Sequence, residues 1–121
     1  MPQALDICRK LLDAHLREVA VRCCQRANPD IQTFCGRVAS GDQFINSREK
    51  KNWIRDTFDA YCTEMEGAAI AQAAYLNQIP YLIVRAISDK ADDSANVDYS
   101  EFEAKAVEHS VRLMAAMLEE L

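Results

Sequence analysis

Residues 79–93, IPYLIVRAISDKADD, restrict the fold of this chain more than any other stretch. Pro80 opens it, and Tyr81, Leu82, Ile83 and Val84 form an unbroken apolar run. Arg85-Ala86-Ile87 carry the run to Ser88-Asp89, where an acidic loop begins. A β-branched and aromatic run without polar alternation is the pattern of a strand buried on both faces, as in parallel α/β sheets. Ligands of such sheets bind just beyond the carboxyl ends of the strands. Asp89 stands at that end, so it is the first candidate for a functional side chain.

The other segments alternate around this strand. Residues 4–27 place Leu5, Cys8, Leu12, Leu16, Val19 and Cys23 on one helical stripe, and Asn28-Pro29 ends it because proline disfavours helix at the residue before it. Residues 33–39 read as a short strand ending in the turn signal Ser40-Gly41-Asp42, with the loop aromatic Phe44 just after. Asn46-Ser47 can cap a helix running to about Phe58, with Trp53, Ile54 and Phe58 on its apolar side. Residues 59–64 read as a strand, and residues 68–76 as an alanine-rich helix able to lie close against a sheet. Residues 99–121 form a final helix, with Met114 and Met117 as core fillers on its stripe.

Strands alternating with helices imply parallel pairing and right-handed crossovers. Three strands make a small sheet against an average of about five or six, and they leave long apolar edges uncovered. Either another chain completes the sheet, or this is the end of a longer polypeptide.

At 121 residues, 50% apolar and 27% charged, the chain has the composition of one globular domain at most. It has no apolar run of membrane-spanning length and no signal-peptide core, which predicts a cytoplasmic protein. A net charge of −5 disfavours nucleic acid and anionic membranes as partners. The five cysteines contain no C-x-x-C pair, and their odd number does not suit a disulfide framework. Cys8, Cys23, Cys35 and Cys62 read as buried free thiols. His15 and His109 lie on separate helices and read as structural or surface residues.

Polar groups gather at three strand ends: SGDQFI (40–45), TEMEGA (63–68) and RAISD (85–89). Separately they read as a turn, a helix start and a cap. In a parallel sheet these ends share one side, which favours a common pocket. The DKADD segment lacks the glycine and terminal glutamate of a calcium loop, so a metal is not expected. Glu66, in the first turn of a helix, suits a vicinal diol such as that of ribose. Phe44 can cover a flat heterocycle, and the backbone of Ile45 can read its edge. Asp89, partly desolvated, suits an acid acting on a ring nitrogen. These features describe a nucleoside pocket.

SGDQFI at 40–45, EMEGAAIAQ at 64–72 and RAISDKAD at 85–92 together resemble the 5′-methylthioadenosine/S-adenosylhomocysteine nucleosidases of the nucleoside phosphorylase superfamily. The match runs from about Gly36 to the C-terminus. It implies the C-terminal part of a single three-layer α/β/α domain with a mostly parallel central sheet. It also implies hydrolysis of the N-glycosidic bond to adenine, with Asp89 protonating N7 and Ser88 orienting Asp89. Glu66 would hold the ribose hydroxyls, Met65 pack on the sugar, and Phe44 stack on adenine, with the backbone of Ile45 reading its edge. Tyr99 aligns with a pocket aromatic that is Phe in some relatives, and Arg85 and Glu64 would lie near the attacking water.

No cofactor is implied; a homodimer binding an adenine nucleoside is. The family's first strand, with the glutamate that activates water, and a later serine- and glycine-rich segment have no counterpart here. The isolated chain is therefore expected to hydrolyse nothing at a useful rate. A purine nucleoside phosphorylase or futalosine hydrolase is the alternative within the superfamily. Arg85 as the one arginine near the site favours water over phosphate as nucleophile. A non-catalytic nucleoside-binding module is the alternative outside it, and an acid aimed at the base weighs against that.

Overall fold

The computed structural model of the chain describes residues 13–87 and 99–121. Its elements are α1 (Ala14–Ala27), β1 (Arg37–Ser40), α2 (Arg48–Phe58), β2 (Ala60–Glu64), α3 (Gly67–Leu76) and α4 (Tyr99–Glu120). The described residues fall into two compact units, one of residues 36–87 with Asp13 and one of residues 14–35 with 99–121.

In the first unit β1 and β2 pair in parallel, with α2 as the crossover that such a pairing needs. Ser47 caps α2 by accepting the Lys50 amide at 3.2 Å. Asp59 ends the helix in the left-handed region at φ 52°, returning its N–H to the Arg55 carbonyl at 2.8 Å. Arg37 donates to the Phe58 carbonyl, where a cation also meets the negative end of the helix dipole. The buried residues of α3 are two small ones, Gly67 and Ala71, while Ile70, Tyr75 and Leu76 are exposed.

The β1–β2 register contains one irregularity. Arg37 pairs with Ala60, but Val38 pairs with Cys62, so Tyr61 is an extra residue on β2. Beyond this bulge Ala39 faces Thr63 and Ser40 faces Glu64. Gly36 makes room for it, because a Cβ there would lie 2.3 Å from Cγ of Tyr61. Gly36→Ala is therefore expected to cost about 1–3 kcal/mol as an overpacking substitution. Urea unfolding would show it, and truncating the ring with Tyr61→Ala should recover most of the loss; additive effects of the two changes would refute the steric account.

The segment that reads most clearly as a strand is not one here. Tyr81 forms an isolated bridge, its carbonyl accepting the Asp13 amide at 3.3 Å, and residues 82–87 join no ladder. The described sheet has two strands, not three. Val84 and Ile87 are exposed rather than buried on both faces. Apolar residues favour a strand only through neighbours that bury them, and among the described residues no strand lies beside this run. Cys35 is likewise exposed, because ladder pairing starts only at Arg37.

The second unit is the pair α1 and α4. Val19, Ala20, Cys23 and Cys24 of α1 and Leu113, Ala116 and Met117 of α4 form its core. Arg22 and Arg26 hold the two Glu120 oxygens at 2.7 and 2.9 Å. Asn28, 1% exposed, donates from its side chain to the His109 carbonyl at 2.9 Å. His109 in turn meets Asp30 at 2.9 Å, a structural contact, and His15 is exposed. Met117 fills the core as expected. Met114 does not: it joins Val107, Val111 and Leu118 on an exposed apolar stripe of α4. No helix among the described residues is long and apolar enough to cross a membrane.

Candidate active site

The polar centre of the first unit is Glu64, the last residue of β2. It is 8% exposed, a burial that a carboxylate tolerates only when its oxygens are satisfied. They are. Ser40, its registered partner on β1, donates its hydroxyl to Oε1. Oε2 accepts the backbone N–H groups of Glu66 at 3.0 Å and Gly67 at 2.6 Å. The Ser40 oxygen also accepts the Ala68 amide at 2.9 Å. Amides left open at the start of α3 are thus taken up by the ends of both strands.

This arrangement separates two roles that looked interchangeable in the sequence. Glu66 occupies the cap position of α3, yet its side chain makes no cap hydrogen bond to the helix. Glu64 serves the helix amides instead. Glu66 is left 65% exposed, with Arg85 Nη2 3.4 Å from its Oε2 and the Met65 amide 3.3 Å from the same oxygen. Arg85 Nη2 also lies 3.7 Å from Glu64 Oε2. One guanidinium therefore stands between a buried carboxylate and an exposed one.

Burial alone would raise the Glu64 pKa. The Ser40 hydroxyl, the two amides and Arg85 together outweigh it and hold the carboxyl below its ordinary value of 4.5. Cys62, two residues earlier on β2, is pushed up, first by burial and also by Glu64, against the opposing pull of Arg85. A thiol raised in this way is neutral near pH 7 and not a nucleophile.

The remaining expected residues are spread over the loops. Phe44 is 72% exposed between β1 and α2, Ile45 beside it is half-buried, and Met65 is exposed at the turn into α3. Ser88 and Asp89 lie outside the described residues, and of Tyr99 only its position as first residue of α4 is described. Among the described candidates, the structure brings Glu64, Glu66 and Arg85 into direct contact. It also adds Ser40, which sequence reasoning took only as part of a turn. The available signal was its position, a hydroxyl closing one parallel strand beside a neighbour that closes on a glutamate. Using that signal requires the register.

With this geometry in place, likeness to known proteins is informative. A sequence profile for the phosphorylase superfamily matches residues 2–120. The 5′-methylthioadenosine/S-adenosylhomocysteine nucleosidase of Bacillus cereus strain B4264 is 39% identical over 99 residues, which cover 81% of this chain and 43% of that protein. A crystal structure of the nucleosidase of the same name from Neisseria meningitidis, in complex with methylthio-immucillin-A, superposes with a TM-score of 0.78 at 35% identity. That likeness covers 91% of this chain and 48% of the other. The futalosine hydrolase of Helicobacter pylori strain 26695 superposes with a TM-score of 0.76 at 29% identity, over 91% of this chain and 45% of the other. The chain thus spans less than half the length of these relatives. Its architecture is a part of the α/β nucleoside phosphorylase fold, with the parallel pairing of that fold's sheet. The buried Glu64 at a parallel strand end, the exposed Glu66 beside it and the profile match over nearly every residue lead to one assignment: the chain belongs to the phosphorylase superfamily.

Proposed function

We propose that this chain carries the adenine- and ribose-binding part of a 5′-methylthioadenosine/S-adenosylhomocysteine nucleosidase, which cleaves the N-glycosidic bond and releases adenine. The observation that carries the reading is the exposed Glu66 carboxylate at the cap position of α3, its neighbour Glu64 already committed to the helix amides. An exposed carboxylate in that position, with Arg85 and the Met65 amide beside one of its oxygens, is an acceptor for the hydroxyls of a ribose. The identity to nucleosidases and the inhibitor complex of the N. meningitidis relative support the choice of nucleoside.

In this mechanism the C1′–N9 bond breaks and its electron pair passes to adenine. Asp89, oriented by Ser88, supplies a proton at N7, so that adenine leaves neutral. Water adds to C1′ of the oxocarbenium-like sugar and loses a proton. Phe44 stacks on the purine, the backbone of Ile45 reads its edge, Met65 packs on the ribose, and Tyr99 lines the pocket. Arg85 and Glu64 lie toward the water. The chain works as one part of a single domain, in a cytoplasmic homodimer, and turns over substrate only when the rest of the family domain is supplied.

The test mixes the chain with a polypeptide supplying the other half of the B. cereus relative and follows adenine release from 5′-methylthioadenosine. Release is expected from the mixture and not from either component. Substantial turnover by the chain alone would remove the requirement for complementation, and none from the mixture would remove the function. The likeness to futalosine hydrolase keeps a second reading in play. Running futalosine beside methylthioadenosine decides between them, the better substrate by kcat/KM naming the activity.

A further inference from the structure

We propose that Ser40 is a positioning residue of this site, tying the β1 end to Glu64 and to the start of α3 so that the Met65–Glu66 turn is set by the sheet. The inference rests on the nucleosidase reading for its purpose and on the hydrogen bonds alone for its existence. Three successive amides, those of Glu66, Gly67 and Ala68, end on two side chains, and those side chains are bonded to each other. Ser40 is the only one of the two that joins β1 to α3, through a donated and an accepted hydrogen bond on the same oxygen. Take it away and Glu64 keeps its amides but loses the bond that fixes its direction. Glu66, whose own amide is part of the cluster, then loses its fixed height above the strand ends.

Two further features permit this contact. The first is the Tyr61 bulge. Without it the pairing of Arg37 with Ala60 would continue in step and set Ser40 opposite Thr63. Because strand side chains alternate faces, that slip would put Glu64 on the opposite face from Ser40. The second is Gly67. A Cβ at that position would stand 2.6 Å from Glu64 Oε1 and 3.0 Å from its Cδ, so a side chain there would make the carboxylate shift from its place over the helix start. The register, the glycine and the serine are one device.

The device is tested with Ser40→Ala and Ser40→Thr, the second keeping the hydroxyl. In the 121-residue chain, amide NMR should show the Gly67 and Ala68 signals shifted and exchanging faster in Ser40→Ala. The pH at which they sense Glu64 should rise, and Ser40→Thr should restore both. In the complemented enzyme, Ser40→Ala should lower kcat/KM for 5′-methylthioadenosine by about 10- to 100-fold, the scale of a misplaced positioning group. Ser40→Thr should recover most of it. Unchanged amides, or changed amides with unchanged kcat/KM, would each overturn the proposal. If the unsubstituted chain shows no activity even when complemented, the nucleosidase reading fails, while the amide signals still decide the Ser40 contact. Ser40→Cys, with a weak donor of similar size, serves if Ser40→Ala does not fold.

Discussion

In the complemented enzyme, Asp89→Asn is expected to lower adenine release by about 10²- to 10⁴-fold, the usual contribution of a positioned proton donor. Adenine without a proton at N7 must leave as an anion, and the barrier rises by the cost of that charge. Asparagine keeps the size of the side chain and can donate a hydrogen bond to N7, but it cannot transfer the proton. Binding of adenine should therefore change only a few-fold while turnover collapses, a split read by comparing kcat with the dissociation constant for adenine. Turnover within a few-fold of the parent would remove Asp89 from the chemistry. A parallel loss of binding would make it a ligand rather than an acid.

The second large effect concerns stability. Glu64→Ala removes the acceptor of the Ser40 hydroxyl and of the Glu66 and Gly67 amides, and it leaves Arg85 beside a void. Leaving buried donors without their acceptor typically costs about 1–3 kcal/mol, since Arg85 itself is exposed and keeps its hydration. Urea unfolding of the chain at pH 7 would show it as a lower midpoint, and a cost below about 1 kcal/mol would mean that the buried cluster contributes little.

The same carboxylate makes stability depend on pH, with a definite sign. Its folded pKa lies below its ordinary value of 4.5, so the folded state holds the ionised form more tightly than the unfolded chain does. That stabilisation is present in full above pH 4.5 and is lost as the pH falls through the lower folded value. Glu64→Gln cannot titrate, and its acid limb should be flatter than that of the parent. Asp30, Glu101 and Glu120 are also held low, chiefly by hydrogen bonds from His109, Lys105 and Arg22 respectively. They are common to both proteins, so the difference between the two curves isolates Glu64. Parallel curves would contradict the assigned shift.

Residues 48–58 show what could be read from the sequence. Ser47 at the start of a charged helix with spaced apolar residues leaves few alternatives, and Ser47 does cap α2. The parallel pairing of β1 and β2 was equally legible, since a helix between two strands leaves no shorter return. The three motifs at 40–45, 64–72 and 85–92 carried the family, and the superfamily profile agrees.

The division of labour between Glu64 and Glu66 was not legible. Two carboxylates two residues apart before a helix look alike in one dimension, and either can serve its amides. Which one turns inward depends on a single extra residue in β2, and a bulge is a property of a pair of strands rather than of either one. The third strand failed for a related reason. Its apolar run records a preference for burial, but a ladder forms only where a neighbour offers its backbone, and among the described residues none does for 82–87. Local patterns in the chain thus determined the helices, their caps, the parallel order and the family. Register and neighbours, which exist only once the strands have met, decided which glutamate is buried, which is exposed and which serine bonds to the buried one.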